Sequence, residues 1–245
     1  MRIKVINPNT TLSMTVKIAA AARAAASSGT EIIAVSPDAG PVSIEGHYDE
    51  AISTIGLLEE IRKGERDRID GYVIACFGDP GLLAAREIAS GPVIGIAEGA
   101  MHLACLISTG FTVVTTLGRT KVIARHLVQN YGFERSCRNI RATELAVLDL
   151  EDSEHAQKAV LAECRQAVEQ DEAGAIVLGC AGMADLANRI SQAIGVPVVE
   201  GVTAAVKLVE LLVSTGLRTS KIGDLAYPLP KTYVGNLSPF AVKSR

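Results

Sequence analysis

Two cysteines, Cys76 and Cys180, close stretches that repeat one pattern. The first is Gly71-Tyr72-Val73-Ile74-Ala75-Cys76-Phe77-Gly78-Asp79-Pro80-Gly81, the second Gly174-Ala175-Ile176-Val177-Leu178-Gly179-Cys180-Ala181-Gly182-Met183. Each reads as a short apolar strand, covered on both faces, that ends on a thiol and then turns sharply. Asp79 suits the N-cap of a following helix and Pro80 its first residue, where a missing N–H costs nothing. A thiol there faces free helical N–H groups, which favour the thiolate. Two thiols on opposite sides of one ligand have a specific use. One, as thiolate, removes a proton from a carbon beside a carbonyl. The other, as thiol, delivers a proton to the opposite face of the planar carbanion, so configuration is lost or inverted. Backbone N–H groups after Cys76 and Cys180 are candidate donors to the enolate.

The elements that must position these thiols repeat as well. Gly91-Pro92-Val93-Ile94-Gly95 follows the first cysteine and Gly195-Val196-Pro197-Val198-Val199 the second, each a short apolar strand entered through a proline. The cysteines stand 104 positions apart and the prolines 105, as duplication of an α/β unit with one inserted residue would give. Ile3 to Ile6 reads as a strand running into Asn7-Pro8-Asn9-Thr10-Thr11. That turn sits at a strand's carboxyl end, where open α/β sheets bind ligands. It is equally an Asx-turn and cap for the Ala-rich helix Met14–Ala26. Phe111 to Val114 running into Thr115-Thr116-Leu117 is its counterpart in the second half.

Glu31–Val35 is a further strand. The polar stretch Pro37 to Glu50 is long for a loop and packs Ser43, Glu45, His47 and Asp49 together, so it is a candidate lid. Helices are expected through Leu57–Ile61, over Val122–Tyr131 and over His155–Gln170, with a strand-like piece at Ile140–Leu148. A last helix, Ala204–Ser214, can cross back to the first half. The tail from Tyr227, with Pro228, Pro230 and Pro239, reads as irregular. Strand and helix alternate, which predicts an α/β protein with mostly parallel strands in two lobes and the site between them. The lobes are expected at residues 1–97 plus 205–245 and at residues 98–204.

Composition excludes several classes. The chain has 245 residues, 48% hydrophobic and 21% charged, with net charge −3 and no long basic run, which argues against a nucleic-acid surface. No uninterrupted apolar run reaches a membrane span. A strand at the very start leaves no room for a signal peptide, and five cysteines with no Cys-x-x-Cys pair read as reduced thiols, so a cytoplasmic protein is expected. Cys105, Cys137 and Cys164 read as small core residues. His47, His102, His126 and His155 are scattered, so no metal is expected. No phosphate-binding glycine motif and no Gly-x-Ser-x-Gly elbow occurs.

With these pieces in place the chain resembles the cofactor-independent aspartate/glutamate/hydantoin racemase superfamily, and within it hydantoin and allantoin racemases. The resemblance rests on Ile6-Asn7-Pro8-Asn9-Thr10, Ser43-Ile44-Glu45-Gly46, Ala75-Cys76-Phe77-Gly78-Asp79-Pro80-Gly81, Thr115-Thr116-Leu117 and Leu178-Gly179-Cys180-Ala181-Gly182-Met183. It implies two similar Rossmann-like lobes related by a pseudo-two-fold, a site in the cleft between them, no cofactor, and a symmetric homo-oligomer. It also implies that Cys76 and Cys180 are the acid–base pair. The substrate-binding candidates are Asn7, Asn9, Ser43, Ile44, Phe77, Gly78, Asp79, Thr115, Thr116, Gly179 and Ala181.

Amino-acid racemases of the superfamily carry Cys-Asn-Thr and Cys-Thr-Glu where this chain has Phe77-Gly78 and Ala181-Gly182, which favours a neutral ring as ligand. Gly78, with Gly95-Ile96-Ala97-Glu98, resembles allantoin racemase. The implied reaction is therefore inversion at C5 of allantoin, in purine catabolism, with other 5-substituted hydantoins next. A malonate-type decarboxylase, an amino-acid racemase and a non-catalytic small-molecule binding protein are the alternatives.

Overall fold

The computed structural model describes residues 1–150 and 154–242, with Asp185 in its backbone alone. Residues 151–153 of the expected second lobe and 243–245 at the end of the tail lie outside the described residues. Strands β1 (Arg2–Ile6), β2 (Glu31–Val35), β3 (Gly71–Ile74) and β4 (Val93–Gly95) form a parallel sheet in the order β2-β1-β3-β4. Strands β5 (Phe111–Thr115), β6 (Cys137–Ala142), β7 (Ala175–Leu178) and β8 (Val198–Glu200) form a second, in the order β6-β5-β7-β8. The registers match: Ile74 pairs with Gly95 in the first sheet and Leu178 with Glu200 in the second. Each cysteine therefore stands two residues beyond the end of a central strand.

The helices are α1 (Leu12–Ala25), α2 (His47–Arg66), α3 (Leu82–Ile88), α4 (Ile96–Ile107), α5 (Thr120–Asn130), α6 (Glu154–Asp171), α7 (Ala187–Ile194) and α8 (Gly201–Ser214). Alternating strand residues face opposite ways. Ile6, Tyr72 and Ile74 pack against Leu57 and Ile61 of α2 and Leu82 and Ala85 of α3. Val114, Ile176 and Leu178 pack against Val160 and Cys164 of α6 and Ile190 of α7. The other faces, Ile3, Val5 and Val73 with Phe111, Val113 and Val177, share one core built on α1, α4, α5 and α8. Polar strand residues are also buried on the outer faces: Lys4, whose ammonium lies 2.8 Å from the Glu60 carboxylate, and Thr112, whose hydroxyl donates to Asp171 at 3.1 Å.

Helices α4 and α8 are exchanged between the sheets. Helix α4 leaves β4 and lies on β7 and β8, while α8 leaves β8 and lies on β3, β4 and α1. The exchange requires close approach of the two helix starts. A Cβ at Gly201 would fall 2.5 Å from the Ile96 carbonyl oxygen, and one at Gly99 would fall 3.3 Å from the Ala205 backbone. The far end of α8 is tied to the turn after α1, where Glu210 accepts from Ser27 N–H at 2.7 Å and from the Thr30 hydroxyl at 2.6 Å.

Three local expectations are corrected. The polar loop ends at Gly46, because α2 already begins at His47. The piece at 140–148 splits into the end of β6 at Ala142 and a 3-10 turn at Val147–Leu150. The helix after Cys76 begins at Leu82 behind Gly81, whose φ of 66° is one that glycine adopts without strain, so Pro80 precedes it. From Tyr227 to Val242 the tail is irregular apart from one 3-10 turn at Gly235–Phe240, and Phe240 lies under the Arg62 guanidinium.

Candidate active site

Cys76, half-buried, and Cys180, 9% exposed, line one cleft of about 560 Å³, its open mouth included. The loops after β3 and β7 bring them there. Each thiol meets the backbone two residues on: the Gly78 N–H bonds to Cys76, and the Gly182 N–H donates to Cys180 Sγ at 3.4 Å. The first is a single turn amide and the second opens the 3-10 helix Ala181–Leu186, which Cys180 caps, but neither carries its thiol to the thiolate. Burial pushes Cys180 up to about 11 against the pull of Gly182. Burial likewise raises Cys76 well above the usual thiol range, with the charges of Cys180 and Glu50 adding to it. The thiolate bias expected from sequence is thus reversed, since desolvation outweighs one N–H.

Of the residues expected to bind substrate, Asn9, Ile44, Phe77, Gly78, Thr115, Thr116, Gly179 and Ala181 line the cleft. Asn7 does not. It is buried beneath the turn, donating to Asn9 Oδ1 at 2.8 Å and to the Thr15 hydroxyl at 3.0 Å, and so holds Asn9 in place. Ser43 also stays outside the lining, although its neighbour Ile44 enters it. The Thr10 N–H bonds to the Pro41 carbonyl and the Thr11 hydroxyl to that of Val42, which clamps this loop onto the Asn7 turn.

Asp79 is turned away from the cleft. Its backbone is left-handed, with φ 44°, and its carboxylate accepts from Ala97 N–H at 3.1 Å, Glu98 N–H at 2.9 Å and the Tyr131 hydroxyl at 2.8 Å. It caps α4, not the helix that follows it. In the second half Glu200 does this work for α8, taking the N–H groups of Val202 and Thr203 at 2.9 and 2.5 Å. The position matching Glu200 in the first sheet is Gly95, and a Cβ there would collide with the Asp79 carboxylate. The capping group of α4 thus comes from the Cys76 loop. Burial pushes the Asp79 carboxyl up to about 7 against its three donors.

Sequence reasoning missed Met14, Ile123, Ala124, Thr120, Val147 and Glu50, all in the lining. Thr120 is at hand for Thr115, hydroxyl to hydroxyl at 3.0 Å. The cleft is roofed across the lobes, since Glu45 accepts from the Val147 N–H at 2.8 Å. No lysine or arginine lines the cleft among the described residues. Nor do the described residues hold a cluster of three metal-ligating side chains, or a helix long and apolar enough to cross a membrane.

Cys76 and Cys180 thus line one mostly apolar cleft, with no cationic side chain in it among the described residues. The family described as Asp/Glu/Hydantoin racemase matches residues 3–209. A hydantoin racemase of Pseudomonas sp. (strain NS671) is 51% identical, over 98% of this chain and 97% of its own. A solved structure of an allantoin racemase from Klebsiella pneumoniae is 57% identical with TM-score 0.96, covering 98% of this chain and 99% of that one. An arylmalonate decarboxylase, 15% identical with TM-score 0.63 over 90% of this chain and 96% of its own, shares the fold. The duplicated sheets, the paired thiols and these matches make this chain a racemase of the Asp/Glu/hydantoin racemase family.

Proposed function

We propose that the protein racemises C5 of a hydantoin ring, with allantoin as the leading substrate and Cys76 and Cys180 as the two acid–base groups. The observation that carries this reading is the cleft itself: two thiols from equivalent strand ends, and no cationic side chain in the lining among the described residues. An amino acid or a malonate would bring a carboxylate with no cation to meet it. A hydantoin is neutral, and the named activities of the relatives point the same way.

In one direction the thiolate of one cysteine takes the C5 proton. The C–H electron pair moves toward the neighbouring carbonyl, giving an enolate held between the lobes. The thiol of the other cysteine then gives its proton to the opposite face of C5, and the sulfurs have exchanged protonation states. Backbone N–H groups at the two turns and the hydroxyl of Thr116 are the available donors for the enolate oxygen. The apolar walls from Met14, Ile44, Ile123 and Val147 keep water from the carbanion.

The test is proton NMR of single-enantiomer allantoin and benzylhydantoin in D2O, with optical rotation, in buffer free of metal and pyridoxal phosphate. Loss of the C5 signal together with rotation is the expected result. Cys76→Ser and Cys180→Ser should each abolish racemisation, while either can still exchange the proton on one face. Wild-type rates in both single variants would sink the two-thiol mechanism.

A further inference from the structure

Besides the two thiols, one ionisable side chain lines the cleft among the described residues: Glu50, in the first turn of α2. Its Oε2 meets Nδ1 of the exposed His47 at 3.2 Å. Its Oε1 is buried and has no hydrogen-bond partner in the structure. A buried carboxylate oxygen without a donor calls for a reason. Gly78 supplies part of one, because any side chain there would collide with Oε1, so the glycine keeps that oxygen in place beside the Cys76 turn. Burial raises the Glu50 carboxyl, and the His47 hydrogen bond opposes it.

A carboxylate at this point cannot help the enolate, whose charge it would repel, as it repels a thiolate at Cys76. What it can do is accept an N–H. A hydrogen bond from a ring nitrogen would push electron density into the ring and oppose carbanion formation at C5. A donor on the C5 substituent carries no such penalty. Glu50 stands between the exposed His47 and the Cys76 turn, within reach of a substituent on a ring held between the thiols.

We propose that Glu50 is a specificity-determining residue: its Oε1 accepts an N–H from a urea-type group on C5, and so favours ureido-substituted over alkyl- or aryl-substituted hydantoins. This rests on the hydantoin racemase reading above. The test compares kcat/KM for allantoin and for benzylhydantoin in the wild type, Glu50→Gln and Glu50→Leu. In Glu50→Leu the allantoin-to-benzylhydantoin ratio falls about 10- to 100-fold, the worth of a hydrogen bond to a charged acceptor. In Glu50→Gln it falls less, because an amide oxygen can still accept. A ratio within one variant is unaffected by partial unfolding, which lowers both rates alike. An unchanged ratio in both variants overturns the assignment. Wild-type turnover of benzylhydantoin checks the underlying reading separately, and no wild-type turnover of either compound would remove that reading and this one together.

Discussion

The Asp79 carboxylate occupies the space that Gly95 leaves at the start of α4. The two halves of the molecule solve one problem in two ways. Helix α8 is capped by the residue just before it, Glu200, and α4 by a residue from the catalytic-candidate loop. Asp79 therefore links the Cys76 turn, the exchanged helix α4 and, through Tyr131, the end of α5.

Gly95→Ala should displace that carboxylate. The loss combines a helix cap with overpacking, for a destabilisation of about 2–4 kcal/mol. Urea unfolding measures it. Combining it with Asp79→Ala should give a total well short of the sum of the two single effects. Simple additivity would mean that the two residues do not compete for one space.

The raised carboxyl of Asp79 makes a second prediction. Its native pKa of about 7 lies above its unfolded value, so the protonated form is favoured by folding. The stability it contributes is full below the unfolded value, near 3.8, and is lost as pH rises through about 7. Wild-type stability should therefore fall between pH 5 and pH 8 by more than that of Asp79→Asn. Equal slopes in the two proteins would show that the helix N-terminus holds the charged carboxylate without cost.

Much of this was legible in the chain. Apolar strands ending on Cys76 and Cys180, and the matching prolines, announce two equivalent sheets because the pattern is local. Glu50 was hidden because it lies in a polar stretch that reads as loop, and the start of α2 at His47 has no side-chain cap to announce it. Met14 and Ile123 read as ordinary apolar faces of helices, and only the packing of the two lobes turns them toward the cleft. Asp79 misled because its capping bonds reach residues 18 and 19 positions on, whereas capping is read from neighbours. The available signal was Gly95, which stands where the second half has Glu200.

Glu210 tests the helix exchange. Burial alone would raise its carboxyl, but Lys207, Thr30 and Ser27 overcome this and hold it at about 2. Its native pKa is depressed, so its contribution is present above the unfolded value of 4.5 and is lost as pH falls toward 2. Glu210→Gln should cost about 1–3 kcal/mol at pH 7. The gap between variant and wild type should close as the pH is lowered from 5 to 2. A constant gap over that range would mean that packing, not the charged acceptor, anchors α8.

The thiols set the pH dependence of the proposed reaction. In the free protein burial keeps both protonated at neutral pH, Cys180 titrating near 11 and Cys76 raised as well. A two-base racemase needs one of them as thiolate, and the pair titrates as a unit. Well below the pKa, the thiolate fraction rises about tenfold per pH unit. The enzymatic kcat/KM for benzylhydantoin, corrected for the buffer reaction, should therefore climb steadily from pH 6 to pH 9. Cys76→Ser and Cys180→Ser, followed by proton exchange on their single active faces, should each climb in the same way, since each retains one buried thiol. A rate that is flat from pH 6 to pH 9 would mean that a thiolate already stands in the cleft at neutral pH, stabilised by more than the Gly78 and Gly182 amides.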